Sequence, residues 1–194
     1  MPERGLGLMW YAIQVETGRE DAACEDVRYA AGDLIEECFV PKYRAGARLP
    51  DGSWGARDER LLPGYLVCDT RRVDDVAARL RRARSFARVL GSGDAFVPLS
   101  EEECAWLRRS TSCGQRTVGE SVGYMDDGRL VVLDGPLAGR EDWVRKIDYH
   151  RRVAYLDMPM GGRKVAGQAG LRMVSKAKGR LLAKELTKAP TNKE

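Results

Sequence analysis

The hydrophobic period of this chain changes part-way along it, and that change constrains the fold more than any single motif. Up to about residue 110, short apolar runs alternate with segments of helical spacing; after Gly128 the helical spacing disappears and only short strand-like runs remain. An apolar face with helical period does not coincide with the face a strand presents, so one repeating layer cannot serve both parts. The pattern predicts two modules of different class, and 194 residues suffice for two small domains.

In the first part, Met9 to Val15 is an apolar run ending at Thr17-Gly18-Arg19-Glu20, which reads as a capping box that starts a helix. Ala23, Val27, Ala30 and Ala31 give that helix one apolar face, and Gly32 closes it. Phe39-Val40-Pro41 opens an extended arm, Pro50-Asp51-Gly52-Ser53 supplies a turn, and Arg57 to Asp69 returns, which reads as one long hairpin. Val73, Val76, Ala77 and Leu80 mark a second helix with Arg79, Arg81 and Arg82 outside; Phe86 to Leu90 is a further strand. Ser100 to Glu103 is a second capping box, opening a third helix whose apolar face starts at Cys104 and Leu107.

Between Ser110 and Val118 the sequence is polar and aperiodic, so residues 113–119 are expected to be a linker between domains at 9–112 and 120–175. Leu130 to Leu133, Trp143 to Ile147 and Val153 to Leu156 are strand-like runs in a module too small for a layered sandwich, which suggests a small barrel. Residues 176–194 are rich in lysine around Leu181, Leu182 and Leu186; a disordered basic tail is the expectation, a docked helix the alternative.

Charge divides at the same place. Residues 1–127 hold 18 basic and 22 acidic side chains and residues 128–194 hold 15 and 7, so a net charge of +4 conceals halves of −4 and +8. A basic second module suits a polyanion such as RNA, although a solvated basic surface would look the same. No window is long and apolar enough to span a membrane, and the N-terminus lacks the pattern of a secretory signal, so a soluble cytoplasmic protein is expected. Cys24, Cys38, Cys68, Cys104 and Cys113 form no Cys-x-x-Cys pair and read as reduced small hydrophobes, Cys113 the most exposed; with His150 the sole histidine, no metal and no cofactor is expected. A lone histidine beside no candidate nucleophile gives catalysis nothing to build on, so the chain does not read as an enzyme.

Specific strings then narrow the reading. Trp10-Tyr11-Ala12-Ile13-Gln14 leading to Thr17-Gly18-x-Glu20, Leu62-Pro63-Gly64-Tyr65-Leu66-Val67, and Pro98-Leu99-Ser100-Glu101-Glu102-Glu103 together resemble the N-terminal domain of NusG transcription elongation factors. Residues 129–174 resemble that family's second domain, the KOW module, most clearly at Val132 to Gly139 and Gly162-Arg163. Gly135-Pro136-Leu137-x-Gly139-Arg140-Glu141 and Lys146 to Arg152 are most similar to the LoaP-type paralogues, processive antiterminators of long operons. The resemblance implies an α+β fold: a NusG-type α/β sandwich, an antiparallel sheet with helices, linked to an SH3-like KOW β-barrel. Two departures stand out. Asp142 occupies a turn where many KOW modules have glycine, and Gly161-Gly162-Arg163 lacks the phenylalanine through which general NusG proteins contact Rho or a ribosomal protein.

The resemblance also implies sites. Strand alternation puts Tyr11, Ile13, Val15, Leu66 and Cys68 under the helices, leaving Trp10, Gln14, Tyr65 and Val67 on the opposite face, where the family grips the RNA polymerase clamp. Without the resemblance, Trp10 and Tyr65 would read as core. In the second module, Asp148 to Arg152 reads as a turn presenting Tyr149, His150, Arg151 and Arg152, with Arg140, Lys146, Arg163 and Lys164 converging on it to contact RNA; the alternative for His150 is a turn residue bonding its own backbone. The expected function is a monomeric elongation regulator that binds polymerase and a nascent leader RNA hairpin to promote antitermination. The alternative is a general NusG factor coupling polymerase to Rho or the ribosome.

Overall fold

The computed structural model describes residues 9–48, 50–83, 85–92, 95–111 and 116–188. Along the chain run β1 (Trp10–Val15), α1 (Glu20–Ala31), β2 (Glu37–Phe39), β3 (Lys42–Arg48), β4 (Trp54–Arg60), β5 (Tyr65–Asp69), α2 (Val73–Leu80), β6 (Ala87–Val89), β7 (Gly91–Ser92), β8 (Ala95–Phe96) and α3 (Glu101–Ser110). The second part adds β9 (Thr117–Val118), β10 (Ser121–Asp126), β11 (Arg129–Asp134), β12 (Val144–Asp148), β13 (Val153–Met160), β14 (Arg163–Met173) and α4 (Lys176–Lys188).

The first sheet is antiparallel in the order β2-β5-β1-β6. Tyr11 faces Cys68 and Ile13 faces Leu66 across the β1–β5 pair, and these side chains bury with Val15 against Ala23 and Val27 of α1 and Val76 and Leu80 of α2, the expected helix-covered face. The capping box at α3 is present in full: the Ser100 hydroxyl accepts from the Glu103 N–H at 3.2 Å and the Glu103 carboxylate accepts from the Ser100 N–H at 2.7 Å. At α1 the expected box is absent. Arg19 precedes the helix without a side-chain cap, and the buried Glu20 carboxylate instead accepts from the N–H groups of Gly18 at 3.0 Å and Gly64 at 2.9 Å and from Arg60 at 3.1 Å. Glu20 therefore ties the β1–α1 turn to the Pro63-Gly64 turn. The expected long hairpin is also divided: β3 pairs with β4, whereas Leu61 to Gly64 turns the chain so that β5 joins the first sheet.

The second sheet is five-stranded in the order β11-β10-β14-β13-β12, with β10 and β14 parallel and the other neighbours antiparallel. Gly161 and Gly162 close the β13–β14 hairpin with φ of +55° and +77°, the left-handed pair a two-residue turn requires. Asp142 lies in a single 3-10 turn, Glu141–Trp143, rather than in left-handed backbone. Two boundaries need correction. Residues Thr117–Val118 of the expected linker form β9, parallel to β3, while 113–115 and the exposure expected of Cys113 lie outside the described residues. The expected disordered tail contains α4, docked where Gly179 sits so close to Tyr124 that an added Cβ would lie 2.4 Å from its ring; Lys176 and Arg180 pair with Asp126 at 2.7 and 3.0 Å. Residues 189–194 lie outside the described residues.

The two parts share one hydrophobic core. Trp10, Tyr43, Leu62 and Leu107 bury together with Leu137, Trp143, Leu156, Met158 and Leu171 of the second part. Trp106 of α3 packs edge-on against Trp143, ring centroids 5.2 Å apart, and donates from Nε1 to the Pro136 carbonyl at 2.8 Å. Strand β14 runs beside β3: the Gln168 N–H donates to the Leu61 carbonyl at 2.8 Å, and a Cβ at Gly170 would stand 2.5 Å from the Arg44 carbonyl oxygen.

Candidate functional site

Neighbouring strands β1 and β5 bring Trp10, Gln14, Tyr65 and Val67 to one face, with Gln14 directly opposite Tyr65 and Ala12 opposite Val67. That face is not the open one that alternation suggested. Trp10 is 1% and Val67 0% exposed, because α3 and the second part cover them, whereas Gln14 and Tyr65 are half-buried at the margin. Trp10 stacks edge-on against Phe39 at 5.4 Å, and the Arg116 guanidinium lies 5.3 Å from the Trp10 ring centroid and 4.9 Å from that of Phe39, with its Nε 2.8 Å from Glu37. Alternation groups these four residues on one side of the sheet, as the strand pairing does, and carries no information about what packs there.

The expected convergence of eight residues around the turn at Asp148 to Arg152 divides into three groups. Tyr149, His150 and Arg151 are exposed on the turn; the Arg151 N–H donates to the Asp148 carboxylate at 2.9 Å and its guanidinium to the Tyr155 hydroxyl at 3.4 Å. Lys146 joins them, its ammonium 6.0 Å from the Tyr155 ring centroid. Arg163 and Lys164 are at the far end of β13, an eight-residue strand spanning about 25 Å, and Arg163 donates to the Gly91 carbonyl at 2.7 Å. Arg140 is occupied elsewhere, paired with Glu102 at 2.6 Å and lying 5.1 Å from the Trp143 ring centroid. Strand geometry separates these cations: residues flanking opposite ends of one long strand cannot serve one turn.

Arg152 shows what sequence reasoning missed. It has φ of +53°, unusual for a residue with a long side chain, and its guanidinium lies 3.7 Å from the ring centroid of Trp54, which begins β4. The cleft between the β3–β4 hairpin and the Asp148–Arg152 turn is lined by Arg48, Trp54 and Arg57 on one side and by Tyr149 to Arg152 on the other. Tyr43 at its base is buried, which pushes its hydroxyl up to about 12 and keeps it a neutral donor, toward Gln168 at 3.4 Å. The sequence signal for this wall was an aromatic placed immediately after the Pro50 to Ser53 turn, between basic residues.

The family model described as transcription termination factor NusG matches residues 8–108. The chain is similar to the transcription termination/antitermination proteins NusG of Escherichia coli K12, 25% identical over 179 residues covering 87% of this chain and 96% of that one, and of Helicobacter pylori, 24% identical over 163 residues covering 79% and 90%. A solved structure described as domain interaction in Thermotoga maritima NusG matches with a TM-score of 0.51 at 19% identity, covering 84% of this chain and 93% of that one, and supports the two-domain α+β architecture. With a helix-backed antiparallel sheet, a five-stranded second domain, and a family match over half its length, this chain belongs to the NusG family as a transcription termination/antitermination factor.

Proposed function

We propose that the chain binds the RNA polymerase clamp through the face carrying Gln14 and Tyr65, with Trp10 and Val67 as its buried floor, and promotes processive antitermination by recognising a nascent leader RNA hairpin through its second domain. The observation that carries this reading is the Asp148–Arg152 turn, where Tyr149 and His150 are exposed beside Arg151, Arg152 and Lys146 at one end of the β12–β13 pair. Such a turn offers both phosphate-binding cations and rings able to stack on unpaired bases. At the other end of β13, Gly161-Gly162 replaces the apolar side chain through which general NusG proteins engage other partners, so the LoaP-type role is the reading favoured.

A general NusG role is the second reading, supported by the names of the relatives, which combine termination with antitermination. Both roles need polymerase. The full chain carrying Tyr65→Ala is expected to lose affinity for core polymerase by roughly thirtyfold, the effect of a residue contributing about 2 kcal/mol at an interface. Unchanged affinity in Tyr65→Ala and in Gln14→Ala removes this face from the contact.

A further inference from the structure

We propose that the cleft between the β3–β4 hairpin and the Asp148–Arg152 turn is a two-walled site for single-stranded RNA, with Trp54 of the N-terminal domain as a stacking surface and Arg48, Arg151 and Arg152 as phosphate ligands. This rests on the reading of the turn as an RNA contact and adds a wall from the other domain.

Four observations support the second wall. Trp54 is 44% exposed, while Trp10, Trp106 and Trp143 are 1%, 3% and 7% exposed, so a single large indole is left at the surface, on a charged hairpin. Its face is already engaged by the Arg152 guanidinium, and an indole carrying a planar cation is an arrangement that a nucleobase extends by stacking. The backbone makes room for both: a Cβ at Gly46 would lie 3.3 Å from the Trp54 ring and 3.5 Å from Arg152 Cδ, so the missing side chain lets ring and arginine lie against β3. The charge is also uncompensated. Arg48 stands directly opposite Trp54 in the hairpin; Arg57 is neutralised by Glu59 at 2.6 Å, whereas Arg48, Arg151 and Arg152 have no carboxylate within ion-pair distance among the described residues.

Aromatic rings beside guanidinium groups that have no carboxylate partner among the described residues select the ligand. A duplex hides its base faces, and an acidic peptide has no use for Trp54 and the exposed ring of Tyr149. A single strand satisfies both, with bases on the rings and phosphates on the arginines.

The test is a fluorescence titration of the full chain with an unstructured RNA of about a dozen nucleotides at several salt concentrations. Trp54 being the exposed indole, binding is expected to quench its emission. Trp54→Ala should weaken binding roughly five- to 150-fold, the equivalent of about 1 to 3 kcal/mol for one lost stack, while Trp54→Phe retains most affinity without the quench. Arg48→Ala should flatten the log-log salt dependence by about 0.7. Full affinity in Trp54→Ala together with weakened binding in the Arg151→Ala, Arg152→Ala double variant overturns the N-terminal wall and leaves the turn as the RNA contact. Full affinity in both variants overturns the turn reading as well, and no binding of this unstructured RNA by the unaltered chain overturns the two-walled single-strand site. Tighter binding of the same sequence as DNA, or of poly-glutamate, overturns the assignment to RNA.

Discussion

Docking of the two domains can be tested by adding one methyl group. Gly170 lies on β14 where that strand passes β3, and a Cβ there would stand 2.5 Å from the Arg44 carbonyl oxygen, a backbone atom that no rotamer change can move aside. Ordinary contact begins near 3.4 Å, so Gly170→Ala forces β14 and β3 apart by roughly 0.9 Å. A gap of that size forfeits about a quarter to a half of the dispersion energy across the seam, and overpacking of this kind costs about 1 to 3 kcal/mol. For a chain of this size that corresponds to a melting temperature lowered by about 2 to 12 °C. The control is Gly119→Ala, whose Cβ meets nothing within 4 Å, and which is expected to leave stability unchanged or slightly raised. Calorimetry of both variants beside the unaltered chain makes the measurement, and hydrogen exchange at β3 and β14 locates the change. Gly170→Ala melting like Gly119→Ala would refute the close passage of β14 along β3.

Trp10→Ala is expected to cost about 3 to 5 kcal/mol in urea unfolding, as truncation of a buried core aromatic does, and a cost under 1 kcal/mol would show the ring exposed. Burial opposes the charge on Glu20, but the N–H groups of Gly18, Gly64 and Glu20 itself and the Arg60 guanidinium more than offset it and hold the carboxyl below its ordinary range. The folded state therefore binds this proton less readily than the unfolded one. Glu20's contribution is present above about pH 4.5 and is lost as acid protonates the folded carboxyl, so Glu20→Gln should lower stability by about 1 to 3 kcal/mol at pH 7 and narrow the gap from the unaltered chain in acid. A gap independent of pH between 7 and 3 would contradict this.

Local signals were the legible ones. The period-two pattern of β1 and β5 and the Ser100 capping box depend on neighbours a few residues apart, and they appear where the sequence placed them. The sequence reads Glu20 as a cap because Thr17 stands three residues before it; beyond the neighbouring Gly18, its partners are Gly64 and Arg60, some forty residues away, a separation that no local pattern encodes. The same limit explains Trp10. Alternation assigned it to a face, but its burial comes from α3 and from a second domain patterned as an independent module. Gly167 and Gly170 on β14 look like weak strand residues in sequence; in the fold they allow that strand to lie against Leu61 and Arg44. For the candidate RNA site, the turn was visible from its charges, whereas Trp54 is brought to it by domain docking alone.

Multi-round transcription with purified polymerase through an intrinsic terminator, on paired templates with and without the upstream leader of a long operon, is the most direct measurement of leader recognition. The full chain is expected to raise readthrough on the leader-bearing template alone, and replacing Arg151 and Arg152 with alanine is expected to remove the increase while polymerase binding persists. Equal readthrough on both templates, unchanged in the double variant, would contradict leader recognition and assign the chain the general NusG role.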